Sequence, residues 1–169
     1  RTSETSKNHR VNSFPSMAVD ISNGPNRGNI YIVWSNIGVP GVNTGSDIDV
    51  YMIRSTNGGS SWSAQNAGTA SYLYGLYMAN ASEGWITGAC GLLLHTTDGG
   101  ATWQQQSSGL SYHLYDVAFN GSLGIAAGSN GTVLRSTDGG ASWQSGFSSG
   151  SGNWRGLAQR GNSFVIANT

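Results

Sequence analysis

The sequence predicts an all-β fold of propeller type, built from four-stranded antiparallel blades. Three observations carry that prediction. One eight-residue stretch occurs three times: Ser55-Thr56-Asn57-Gly58-Gly59-Ser60-Ser61-Trp62, Thr96-Thr97-Asp98-Gly99-Gly100-Ala101-Thr102-Trp103 and Ser136-Thr137-Asp138-Gly139-Gly140-Ala141-Ser142-Trp143. The tryptophans lie 41 and 40 residues apart, and a fixed period near 40 with a turn and a tryptophan per unit reads as one small sheet per repeat. The chain also holds 26 glycines, only 3 prolines and no heptad pattern, a balance that favours short strands and tight turns over helices.

The elements follow in order. Residues 1–12 are polar and unpatterned and read as a flexible lead-in. A first strand opens at Phe14 to Asp20, and Ser22 to Gly28 is dense in turn residues. Asn29 to Trp34 is a β-prone apolar run, the second strand. Ser35 to Ser46 reads as a loop, Asp47 to Arg54 as the third strand, and Ser61 to Ala64 opens the fourth. The next two units align without a gap at an offset of 40: Asn80 with Asn120, Gly84 with Gly124, Leu94 with Leu134, Asp98 with Asp138. The offset continues into the tail, Val117 with Leu157 and Ile125 with Val165. The expected blades span about 13–66, 72–107 and 112–147, with a half blade at 154–169, all in one partial propeller over 13–169. Closed propellers usually have at least about four blades, so the expectation is a partial ring, a fragment, or a ring completed by another chain through its open sheet edges.

Charged residues are only 9% of the chain and formal net charge is zero. Such a chain has no electrostatic footprint for nucleic acid or an anionic membrane. No apolar run is long enough to span a bilayer. The single Cys90 cannot form an internal disulfide, and the uncharged Ser/Asn/Gly-rich surface leans towards a secreted or cell-surface setting. His9, His95 and His113 lack metal-ligand spacing, and no cofactor is expected.

The repeated box reads as a hairpin staple. Its Gly-Gly pair tolerates positive φ, its Asp or Asn accepts amide hydrogen bonds from the turn it heads, and its Trp packs between blades. One acid per turn falls far short of the six to eight oxygens Ca²⁺ takes. These boxes resemble the Asp-box signature of BNR repeats, found in sialidases, sortilin-type receptors, some glycoside hydrolases and photosystem II assembly factors. The stretch Gly131 to Gly140 makes the two later blades resemble the assembly-factor type, whereas Asp47 to Tyr51 makes the first resemble a sialidase-like repeat. The resemblance implies a propeller in which the box is a structural turn away from the ligand face. Sialidases would place an Arg where Ser13 stands before Phe14-Pro15, so sialic-acid binding is not implied.

Function is less legible. Glycoside hydrolysis needs two facing carboxylates; Asp47 and Asp49, two apart on one strand, are the weak catalytic candidates. Cys90 lacks a positioned base. Tyr72, Tyr74, Tyr77, Tyr112, Tyr115 and Trp154 precede or begin the innermost strands, where loops crowd one propeller face, and such aromatics suit stacking on a sugar or gripping a peptide. Of these, Tyr74, Tyr77, Tyr115 and Trp154 are the candidate ligand-binding residues, with inter-blade packing as the competing role. The expectation is a non-catalytic binding or assembly module for a protein or glycan. The alternatives are a fragment of a sialidase-like or other glycoside hydrolase, or a structural subunit that self-associates through its sheet edges.

Overall fold

Alternating β-branched and aromatic residues pair, in chain order, into small meanders. The computed structural model describes residues 15–21, 27–39, 43–148 and 150–168, with side chains at all of these but 35–39, 43–51 and 148. The expected lead-in at 1–12 lies outside the described residues. Strands β1 (Ser16–Val19), β2 (Ile30–Val39), β3 (Asn43–Ser55) and β4 (Ser63–Gln65) form the first antiparallel blade. The second comprises β5 (Leu73–Met78), β6 (Gly84–Gly88), β7 (Leu93–Thr96) and β8 (Gln104–Gln105). The third comprises β9 (Leu114–Asn120), β10 (Leu123–Gly128), β11 (Thr132–Ser136) and β12 (Gln144–Ser148). β13 (Trp154–Arg160) and β14 (Ser163–Asn168) pair as the inner half of a fourth. This is an all-β propeller architecture of three blades and a half.

Two sequence expectations change. The segment read as a loop after Trp34 is mostly sheet, because β2 and β3 continue as one long hairpin through Asn36 opposite Asp49 and Ile37 opposite Ile48. The gapless offset of 40 fails in the inner strands. Met78 pairs with Gly84, but Phe119 pairs with Gly124, so the connection in the second blade is one residue longer. The extra residue sits in a turn where the Asn80 side chain accepts the amides of Ser82 and Glu83, both at 2.9 Å.

Blades meet through two apolar joints. Tyr31, Val33 and Met52 of the first blade bury Leu73, Leu76, Met78, Ile86 and Leu94 of the second. Trp85 and Leu93 of the second bury Leu114, Val117, Phe119 and Leu134 of the third. Each such side chain, fully buried, contributes about 1.5–3 kcal/mol. Trp85 stacks on Phe119 at 4.0 Å, and His95 also stacks on Trp85 at 4.6 Å. Blade stacking also brings backbones together. A Cβ on Gly75 would stand 2.8 Å from the Asp116 Cα and from the Tyr115 carbonyl oxygen, so the second and third inner strands can approach this closely only with glycine there.

Candidate functional site

The inner strand of each of the last three sheets carries one extra residue. In β5, Leu73 pairs with Gly88 and Gly75 with Thr87, which leaves Tyr74 unpaired between them. In β9, Leu114 pairs with Gly128 and Asp116 with Ala127, which leaves Tyr115. In β13, Trp154 pairs with Asn168 and Gly156 with Ala167, which leaves Arg155. A bulge of this kind bends the strand and re-aims its side chain. Here the three re-aimed side chains line up across blades. The Tyr74 and Tyr115 rings lie 5.3 Å apart, and the Arg155 guanidinium carbon sits 4.5 Å over the Tyr115 ring. Tyr72 extends the row, parallel to Tyr74 within 6° at 6.2 Å.

His113 closes the row from one side. Its ring meets Tyr74 edge-on at 5.9 Å and Tyr115 at 6.1 Å. Its Nδ1 accepts the Cys90 backbone amide at 3.1 Å, which leaves the proton of the neutral ring on Nε2. Cys90 stands in the short 3-10 turn Ala89–Gly91 with φ 54 and is exposed. Burial first, then the Tyr115 and Tyr72 hydroxyls and the Cys90 thiol, push the Tyr74 phenol above its ordinary value, while Arg155 opposes the shift. Tyr74 is therefore a neutral donor near pH 7. Asp116, next to the bulge, accepts the amides of Val117 and Leu157 at 2.9 Å each.

The boxes do different work. In each, the first Ser or Thr hydroxyl donates to the Asp or Asn and accepts the amide of the second glycine: Ser55 with Asn57 and Gly59, Thr96 with Asp98 and Gly100, Ser136 with Asp138 and Gly140. The acid then accepts from the seventh position, Thr102 hydroxyl to Asp98 and Ser142 hydroxyl to Asp138, both at 2.6 Å. Gly58, Gly99 and Gly139 all hold positive φ. The Gly99 amide donates to the Ser82 carbonyl and that of Gly139 to the Ser122 carbonyl, which docks each turn onto its own blade. The turns also reach the preceding blade: Arg54 donates to the Gly99 carbonyl at 3.0 Å and Gln106 to that of Gly140 at 2.9 Å. Trp103 and Trp143 pack against the two apolar joints, while Trp62 is 41% exposed.

Of the four ligand-binding candidates, the structure brings Tyr74 and Tyr115 together and places the other two elsewhere. Tyr77 lies between blades, its ring 5.6 Å from Phe119 and its hydroxyl donating to the Phe119 carbonyl at 3.2 Å. Trp154 occupies the strand position of Leu73 and Leu114, one residue before the bulge. Tyr112 is exposed in the preceding connection. Asp47 and Asp49 lie on β3, where Asp49 pairs with Asn36, and their side chains are outside the described set. Among the described carboxylates, Asp20 is buried, Glu83 pairs with His95 at 3.3 Å, Asp98 and Asp138 hold their turns, and Asp116 takes two amides. No three of His, Cys, Asp and Glu among the described residues form a group that could hold a metal ion. No described helix is long and apolar enough to cross a membrane.

The sequence profile of the family described as photosynthesis system II assembly factor YCF48 matches residues 54–149, more than half of the chain. The chain belongs to this family. The match runs from the end of β3 through the third blade, and so takes in Tyr72, Tyr74, Cys90, His113 and Tyr115; Arg155 stands just beyond it. Solved structures agree in fold. A structure of YCF48 bound to a D1 peptide is 20% identical with a TM-score of 0.64, and the match covers 91% of this chain and 47% of that one. YCF48 from Cyanidioschyzon merolae is 19% identical with a TM-score of 0.69, covering 90% and 47%. A GH74 enzyme from Niastella koreensis is 18% identical with a TM-score of 0.66, covering 90% of this chain and 25% of the enzyme. The chain thus spans about half the length of the YCF48 structures it matches. No curated protein matches it by sequence.

Arg155 and His113 are the row's members that sequence reasoning did not single out. For His113 the missing signal was the one-residue slip in the repeat, whereas Arg155 aligns with Tyr115 at the offset of 40 but is not an aromatic. An offset of 40 sets Tyr74 against Leu114, whereas the bulges set Tyr72 against His113, and Tyr74 against Tyr115 and Arg155.

Proposed function

We propose that this YCF48-family chain is a non-catalytic protein-binding module that grips a segment of another polypeptide across the Tyr72–Tyr74–Tyr115–Arg155 row. The alignment of three successive bulges carries this reading: each of the last three sheets contributes one large side chain to the same row, which builds a platform no single blade could supply. Tyrosine and arginine are among the residue types that anchor protein interfaces, and tyrosine brings large contact area and a polar end at low entropic cost. Family membership and a YCF48 structure holding a D1 peptide support a peptide over other ligand classes.

The test is selection of peptides from a random display library on the chain, followed by anisotropy titration of the winners. An anchor aromatic is worth about 2 kcal/mol or more, roughly thirty-fold in affinity. Tyr115→Ala should therefore weaken the selected peptides by at least about tenfold, while Phe147→Ser, an exposed position on β12, leaves them unchanged. Peptides that bind Tyr115→Ala as well as the wild type would overturn the proposal.

A further inference from the structure

We propose that the first blade docks, through the face it turns away from the second, on the β13–β14 sheet of another copy of this chain. The contact uses two surfaces remote from the tyrosine row and is independent of what that row binds.

Each blade has two faces, because successive strand residues point to opposite sides. In the first blade Ser16 accepts the Leu76 amide, while Ala18, Tyr31, Val33 and Met52 pack on the second blade. Met17, Val19, Ile30, Ile32 and Ile53 therefore share the other face. Trp62 lies with them, since a Cβ on Gly59 would touch the Trp62 and Ile30 side chains together. Strand pairing makes this face the counterpart of two that are buried. The row Met17, Ile32, Ile53 repeats Leu76, Ile86, Leu94 of the second blade and Val117, Ala126, Leu134 of the third. The latter two rows are buried throughout, in the joints with the preceding blades. On the first blade Met17 is 62% exposed, Val19 40% and Trp62 41%. A contiguous apolar sheet face open to water marks an interaction site, and the repeat says what kind of surface covers such a face.

Residue sizes across the joints select the occupant. On the covering face of each sheet, one position of the second strand holds Tyr31, Trp85, Ile125 and Val165 in turn, each paired with its inner-strand neighbour Ala18, Tyr77, Ala118 or Ala158. On the covered face, the residue before it in the second strand is Ile30, Gly84, Gly124 and Phe164. The aromatic Tyr31 and Trp85 precede sheets with glycine at that position, whereas the aliphatic Ile125 precedes the sheet with Phe164. Large residues alternate with small ones across a packed joint. Ile30 already fills its position, so the first blade suits an aliphatic covering residue and not an aromatic one. Val165 is such a residue. It is 65% exposed, Ala167 beside it is exposed too, and Gly156 and Ala158 add no bulk to receive Met17 and Trp62. The chain thus displays both halves of one further joint on separate surfaces. Two unlike faces that fit each other make a heterologous contact, and copies join head to tail.

Sedimentation velocity of the full chain tests this. The wild type should associate, with an average mass that rises with concentration. Met17→Lys and Val165→Lys, both at exposed positions, should each weaken association at least about tenfold, because either one buries an unpaired charge in an apolar contact. Mixed together, the two variants should form a dimer and stop there. The unaltered first blade of Val165→Lys meets the unaltered β13–β14 sheet of Met17→Lys, and the two faces left over both carry a lysine. Near-ultraviolet circular dichroism establishes that each variant is folded. A wild type that keeps the mass of one chain at every concentration overturns the proposal. Association that Val165→Lys leaves unchanged also overturns it, since the first-blade face then pairs with itself or with a different surface. A mixture of the two variants that stays monomeric does the same.

Discussion

Asp98 and Asp138 stabilise turns through the charge they keep. Hydrogen bonds from the Thr102 hydroxyl and amide hold the Asp98 carboxyl at about 2, and those from Ser142 do the same for Asp138. Both values lie below the ordinary 3.8. The folded state thus prefers the ionised form, its stabilisation is complete above the ordinary value, and it is lost as pH falls towards 2. Asn57 makes the same contacts without a charge: its Oδ1 accepts the Ser61 amide and its Nδ2 donates to the Ser61 hydroxyl, both at 2.8 Å. The double variant Asp98→Asn, Asp138→Asn copies that arrangement. Urea midpoints measured from pH 5 down to about 2 should fall for the wild type and fall less steeply for the variant. Equal slopes would mean that the acid sensitivity originates elsewhere.

A bulge acts on an element as the box acts on a turn. It leaves the strand in place, shifts its partner by one, and turns one side chain from the sheet towards the open face. In the second blade the residue after it lies where β5 and β9 come together. At Gly75 an added methyl would lie 2.6 Å from the Thr87 hydroxyl and 2.8 Å from the Asp116 Cα. Gly75→Ala must push β9 away or strain β5, at a cost of about 1–3 kcal/mol. It should lower the urea midpoint and disturb the Tyr74–Tyr115 contact, whereas an unchanged midpoint would show that the joint yields freely. This element also explains what the sequence could show. The boxes were legible because Ser/Thr, Asp/Asn, Gly-Gly and Trp at fixed spacing are each required by the hydrogen bonds of one turn. The four-stranded blades followed from that period. The bulges were not legible, because an unpaired residue needs no particular side chain: Tyr74, Tyr115 and Arg155 share a position and not a chemistry. The extension of β2 past Trp34 was hidden likewise, since Gly38 and Asn43 read as loop residues although Gly38 lies within β2 and Asn43 pairs with Val39.

Across the whole molecule the blades are joined by repeated contacts with one variable part. An inner-strand side chain of one blade can accept an amide from the inner strand of the next: Ser16 accepts Leu76, and Asp116 accepts Leu157. Where the first joint uses a neutral hydroxyl, the last uses a carboxylate, and burial raises that carboxyl above its ordinary value despite the two amides. A raised folded value means that the proton is held more tightly in the folded state. The relative stability this lends is present in acid and is lost as pH rises through the folded value, opposite in sign to the box aspartates. Asp116→Ser should reproduce the first joint and remove that loss. Amide exchange of β13 near pH 7 should then be slower than in the wild type, and faster exchange would show that the charge, not the acceptor, holds the joint. The row those joints align has one more property. The chain contains a single cysteine, Cys90; it is exposed, and its amide is anchored to the His113 ring beside Tyr74 and Tyr115. A thiol-reactive dye attached to the unaltered chain would therefore sit at the rim of the face it is meant to report on, with no second attachment point to blur the signal.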